Sequence, residues 1–174
     1  MNIFQEILDA EQRIRPYILK TPLFKSVYLS ELIQGEVYFK LESEQITGSF
    51  KARGAMNKVL SLNNEEKQKG CITASTGNHA QGMANALNVT GTKGTIFLPE
   101  NAVQSKIDAL KHYNAELKFH GLDCLTTELY AKKYAAIPPT APAVCQPFQK
   151  PTLKINTNDW GISGKPFWAA THTT

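Results

Sequence analysis

Between residues 52 and 136, short apolar runs alternate with helical patterns, and that alternation restricts the chain to one broad fold class. Residues 52–62 place Ala55, Met56, Val59, Leu60 and Leu62 on one helical face, and Gly70 closes the polar stretch that follows. Cys71-Ile72-Thr73-Ala74 then reads as a short buried strand. A helix over 78–88 turns Ala80, Met83, Ala84 and Leu87 inward, and 94–99 is the next strand. The spacing predicts a further helix over 105–113, a strand over 115–120 and a helix over 124–136. Strands separated by helices of this length are joined by right-handed crossovers into a parallel sheet. The expected fold is therefore α/β, a three-layer open parallel sheet whose ligands bind at the carboxyl ends of the strands.

The flanks differ from this centre. Ile3, Ile7, Leu8 and Ile14 recur at helical spacing until Pro16, Thr21-Pro22-Leu23 is extended, and EVYFKLE at 36–42 alternates as a strand does. After Ala136 the order is lost. Of fifteen acidic residues only Asp159 falls in 137–174, whereas six of the nine prolines and both tryptophans do. Three segments are expected: opening elements over 1–51, a small α/β domain over 52–136, and an irregular tail over 137–174 with a weak strand pattern around Leu153–Ile155.

Composition narrows the function classes. No apolar run approaches the roughly 18 residues a membrane span needs, and the early acidic residues interrupt any secretory h-region, so a cytoplasmic protein is expected. The net charge of +4 comes from basic residues scattered among acidic ones, which argues against a nucleic-acid or membrane partner. Cys71, Cys124 and Cys145 are widely spaced and odd in number, which supports neither a disulfide framework nor a zinc site.

Chemistry concentrates in TGSFKARG at 47–54 and TASTGNHAQG at 73–82. Lys51 follows a Gly-Ser-Phe turn at a helix start, where the positive end of the helix dipole favours the neutral amine; a lysine so perturbed can form a Schiff base. Taken alone, such a lysine is usually an ordinary solvated residue. The second segment leaves a strand, crosses Ser75-Thr76-Gly77 and enters a helix at Asn78-His79, so that backbone N–H groups converge as they do around an anion. Taken alone, it is equally a capped helix with Ser75 or Asn78 as N-cap. Neither a Walker loop nor a GxGxxG after a strand occurs.

Together the segments are more specific. SFKARGA followed by TASTGNHAQGMA, TIFLPENAVQSKIDALKHYNAEL and HGLDCLTTELYAKKYA resembles the threonine/serine dehydratase branch of the tryptophan-synthase-beta-like superfamily of pyridoxal-phosphate enzymes, most closely over residues 21–136. The resemblance implies that Lys51 is the lysine that carries pyridoxal 5'-phosphate, that Phe50 packs beside the cofactor ring, and that Asn78 hydrogen-bonds the ring's phenolic oxygen. It implies that Ser75, Thr76, Gly77, Asn78 and His79 grip the substrate carboxylate, with Gln81 supporting the loop. The implied reaction is the elimination of L-threonine or L-serine to a 2-oxo acid and ammonia. A racemase alternative turns on Thr76, where serine racemases of the superfamily place a serine as a second base.

The resemblance also implies that the family's glycine-rich phosphate loop and the partner of the pyridine nitrogen lie later than residue 136. Residues 137–174 do not resemble that continuation, and a shifted reading frame or an aberrant gene model is the expected origin. On that expectation the second domain is incomplete. The chain is then an impaired lyase, alone or as a homo-oligomer, or a non-enzymatic fragment that docks on a full-length relative.

Overall fold

The computed structural model describes residues 2–136 and 142–145. Helix α1 (Ile3–Ile14) starts where the Asn2 side chain accepts the Phe4 N–H at 3.2 Å. Strands β1 (Leu23–Lys25) and β2 (Tyr38–Lys40) flank helix α2 (Val27–Leu32) and pair antiparallel, with Phe24 opposite Phe39. Helix α3 (Lys51–Leu60) and helix α4 (Asn64–Lys69) follow, α4 opened by a reciprocal capping box between Asn63 and Glu66. The remaining elements alternate: β3 (Cys71–Ala74), α5 (Asn78–Thr90), β4 (Gly94–Leu98), α6 (Gln104–Lys111), β5 (Glu116–Phe119), α7 (Cys124–Ala135) and β6 (Ala143–Val144).

The four strands β3 to β6 form one parallel sheet in the order β5-β4-β3-β6. The chain builds outward from β3 to β5 and then returns to the other side of β3. That reversal makes the β3–β6 seam a topological switch point. Strand β6 falls within the segment read from sequence as irregular; the strand pattern around 153–155 lies outside the described residues.

Period-two alternation divides the core between the two faces of the sheet. Ile72 and Phe97 face α7, where they pack with Ala131 and Ala135. Ile96 and Leu98 face the opposite way and meet Ala80, Ala84 and Leu110 of α5 and α6. Cys71 joins Met83, Ala86, Leu87, Met56 and Val59, so α3 lies outside α5 on that side. Burying each of Met56, Met83 and Leu87 contributes about 1.5–3 kcal/mol. These are the three expected layers. Helix α5 is buried nearly all round because the sheet, α3 and α6 enclose it, which explains its alanine-rich composition.

The opening elements attach at α3. Ile14 reaches the Met56 cluster, and Arg13 Nη1 donates to Asn57 Oδ1 at 2.5 Å. A second tie is polar: Arg53 grips the Glu42 carboxylate with two bonds of 2.8 and 2.7 Å, and Thr21 Oγ1 donates to the same group at 2.5 Å. The far end of α1, the outer side of α2 and the β1–β2 ribbon stay exposed at Ile3, Phe4, Phe24, Val27, Tyr28, Leu32, Ile33 and Phe39.

Candidate active site

The turn before α3 places the lysine. Gly48 has φ +65°, a conformation that strains any residue with a Cβ, and after it Ser49 Oγ accepts the Lys51 N–H at 3.1 Å. Phe50 already has helical dihedrals, so Lys51 becomes the first residue of α3. Its Nζ lies 4.9 Å from the centroid of the Phe50 ring. Partial burial of the side chain pulls the amine below its ordinary pKa of 10.5.

The second segment forms the turn from β3 into α5, at the carboxyl end of β3 and beside the switch point. Ser75 N–H donates to the Phe97 carbonyl at 3.2 Å, which extends the β3–β4 ladder by one bond. Ser75 Oγ accepts the Gly77 N–H at 3.3 Å, and Gly77, in extended conformation, is the N-cap of α5. Asn78, His79 and Ala80 form the first turn, whose N–H groups have no helical acceptor. Thr76 and Gly77 are half-buried and Asn78 is exposed, so the start of the turn is open to a ligand, with the positive end of the α5 dipole behind it. Gln81 continues the helix, its N–H donating to the Gly77 carbonyl at 3.3 Å.

The two segments meet through a close approach of helices. A Cβ on Gly82 would stand 2.9 Å from the carbonyl oxygen of Lys51, so only glycine lets α5 lie this near the start of α3. Gly82 is little more than one turn from the α5 N-terminus, which brings the Lys51 ammonium into electrostatic range of His79.

The His79 ring turns inward. Its Nε2 lies 3.0 Å from the Cys145 carbonyl and 3.1 Å from Thr73 Oγ1. A carbonyl only accepts, so Nε2 carries the proton and donates, with the threonine oxygen as second acceptor. Burial, opposed by the Cys145 carbonyl and assisted by the Lys51 charge, holds the imidazole below its ordinary 6.5 and keeps it neutral. His79 can thus meet an anion through its backbone N–H, while its side chain faces the sheet.

Sequence reasoning missed Thr73 and Cys145 as neighbours of this loop. Thr73 carried a signal, since alternation along β3 turns it to the same side as Cys71. Cys145 carried none, because its strand is two residues long and its pairing is long-range. The same seam brings Cys71 and Cys145 together as free, buried thiols, with Cys71 pushed up by its hydrogen bond to Cys145 and by burial. At the opposite edge, a cavity of about 740 Å³ opens among Lys69, Cys71, Lys93, Gly94, Thr95 and Glu116. It lies at the amino ends of the strands and is lined by none of the residues from 49 to 51 or 75 to 79.

A parallel sheet with a lysine and an anion-ready loop at its carboxyl edge defines a class of pyridoxal-phosphate folds, and comparison with known proteins agrees. The model of the family described as "Pyridoxal-phosphate dependent enzyme" matches residues 14–164, past the point where the resemblance read from sequence ends. The chain belongs to this family. It is 47% identical to L-threonine dehydratase catabolic TdcB of Staphylococcus aureus (strain USA300) over 131 residues, which cover 75% of this chain and 38% of that protein. The processed form of threonine deaminase isoform 2 from Solanum lycopersicum superposes with a TM-score of 0.76 at 31% identity, covering 84% of this chain and 42% of that one. Serine racemase from Dictyostelium discoideum gives a TM-score of 0.74 at 36% identity, covering 83% and 46%. The chain thus spans less than half the length of these relatives. Pyridoxal phosphate is the cofactor of the family. No helix among the described residues is long and apolar enough to cross a membrane.

Proposed function

We propose that the chain carries the lysine and carboxylate-binding parts of a cytoplasmic pyridoxal-phosphate dependent lyase that converts L-threonine or L-serine to a 2-oxo acid and ammonia. The observation that carries this reading is the packing of the Lys51 backbone on Gly82, which sets a half-buried amine of lowered pKa beside the first turn of α5. The residues present fit the cofactor. Lys51 has more neutral amine available than an exposed lysine, and Phe50 offers an aromatic face next to it.

Pyridoxal phosphate, when bound, supplies an electron sink for the negative charge that develops at the substrate's Cα. The protein's own part is positional and acid–base. Thr76, Gly77, Asn78 and His79 hold the substrate carboxylate through backbone N–H groups and the Asn78 side chain, with Ser75 bracing the turn. That orients the Cα–H bond toward Lys51, whose neutral amine accepts the proton. Residues 1–51 serve as opening elements of a larger domain and 52–136 as the small one.

Racemisation of serine is a second reading, favoured by the likeness to the Dictyostelium enzyme. Thr76 weighs against it, because its branched Cβ limits the rotamers from which a hydroxyl could deliver a proton to the opposite face.

The test is titration of the purified chain with pyridoxal phosphate, read as a new absorbance band, alongside Lys51→Ala. A band lost in the variant supports the reading and leads to assays for 2-oxo acid from L-threonine and L-serine. A folded chain with no such band would show instead a non-enzymatic fragment, to be tested for docking on a full-length relative.

A further inference from the structure

The imidazole of His79 points from the anion-ready turn into the protein, and what it meets there is specific. Thr73 is the third residue of β3 and is 1% exposed; Cys145 follows β6 directly and is 2% exposed. The two stand side by side across the seam, one step beyond the Ile72–Val144 pair. Cys145 is otherwise held by its own N–H, which donates to the Ile72 carbonyl at 2.6 Å. Its carbonyl, at the end of the strand, accepts from His79 Nε2 at 3.0 Å. One imidazole therefore ties three pieces: the first turn of α5, the end of β3 and the end of β6.

We propose that His79 is a positioning residue whose Nε2–H, shared between the Cys145 carbonyl and Thr73 Oγ1, seats the anion-binding turn on the β3–β6 seam. Strand β6 is then part of the site's scaffold although it supplies no group to the ligand. Among the described residues the turn has few other anchors: Ser75 is fixed to Phe97 and accepts from Gly77, but Thr76 and Gly77 are only half-buried and Asn78 is exposed. With the imidazole in place, the free N–H groups of the first turn keep one direction. Without it, the turn loses its direct tie to β6, and the two stay connected only through β3. The seat itself is a structural claim; its consequence for catalysis rests on the function proposed above.

Two substitutions separate the donor from the bulk of the ring. His79→Leu keeps apolar volume and removes the donor, whereas His79→Gln places an amide N–H near the position of Nε2. Backbone amide hydrogen exchange on the full chain is expected to accelerate about tenfold in His79→Leu, at both Cys145 and Gln81, as for loss of one buried hydrogen bond. The amide of Ala131 in α7 should stay unchanged, and His79→Gln should restore both rates. Titration with sodium acetate, followed at the Asn78 and Ala80 amides, should then show weaker binding in His79→Leu than in His79→Gln. An unchanged Cys145 amide in His79→Leu overturns the proposal, as does equal acetate binding by the two variants. Should His79→Leu fail to fold, the wild-type imidazole decides: nitrogen NMR must show the proton on Nε2, and a proton on Nδ1 overturns the seat. Failure of the exchange arm leaves the lyase reading standing, and failure of the cofactor titration leaves the seat standing.

Discussion

The carbonyl oxygen of Lys51 lies so close to Gly82 that a single methyl group on the glycine would come within 2.9 Å of it. The obstacle is backbone, which cannot swing aside as a side-chain tip can. Gly82→Ala must push α5 and the start of α3 apart. Overpacking of this kind costs about 1–3 kcal/mol, to be measured by urea unfolding. Because the shift falls on Lys51, the variant should also lose most of its Lys51-dependent pyridoxal-phosphate band. A variant with full stability and a full band would contradict the packing.

Burial lowers the pKa of Lys51, so its neutral form accumulates at a lower pH than that of an unperturbed lysine. Reductive trapping with an aldehyde, mapped by mass spectrometry, should label Lys51 ahead of the surface lysines at pH values below their ordinary 10.5. The preference should fade as pH rises and all the amines become neutral. Equal labelling throughout would count against a perturbed amine.

The imidazole of His79 is held below 6.5 chiefly by burial, with the Lys51 charge adding to the effect. The unfolded chain therefore binds a proton that the folded chain resists. The linked stability is complete above the unfolded value and is lost as pH falls through the lower, folded value. Wild type should lose stability relative to His79→Gln between pH 7 and about pH 5 in parallel urea titrations. Parallel curves would show that His79 does not titrate differently in the two states.

Burial alone would raise the Glu42 carboxyl, but the hydrogen bonds from Arg53 and Thr21 outweigh it and the net shift is downward. Stability from this group is present above its ordinary 4.5 and disappears as pH falls through the folded value. Glu42→Gln leaves the Arg53 guanidinium without its charged partner and should cost about 2 kcal/mol at neutral pH. Because Arg53 and Thr21 link α3 to the approach to β1, exchange protection at Leu41, whose N–H donates to Pro22, should fall with it.

Much of the central α/β alternation was legible because its signals are local. The apolar spacing of Ala80, Met83, Ala84 and Leu87 predicts α5, and the run Cys71–Ala74 predicts β3 with the same bounds. Lys51 and the 75–79 turn could be found from short motifs that leave a turn and enter a helix. Elements that exist only through distant partners were not legible. Helix α2 is only six residues long, too short for a helical period to stand out, and none of its residues is buried. Strand β6 is a strand only because β3 lies beside it. The contact of Gly82 with Lys51 was hidden for a related reason: a missing side chain leaves no pattern, and its meaning appears only where two helices cross.

The bond from His79 to the Cys145 carbonyl spans 66 residues. During synthesis the chain emerges N-terminus first, so the motif at 75–79 leaves the ribosome well before the strand that seats it. Helices α3 and α5 are near in sequence and can dock early, whereas closing the longer loop carries an entropy cost that local contacts do not offset. The amino-acid motif and the working turn therefore arise at different moments. A nascent chain halted after α7 already contains Lys51 and the whole of the 75–79 segment, but the turn gains its final direction only when residue 145 arrives.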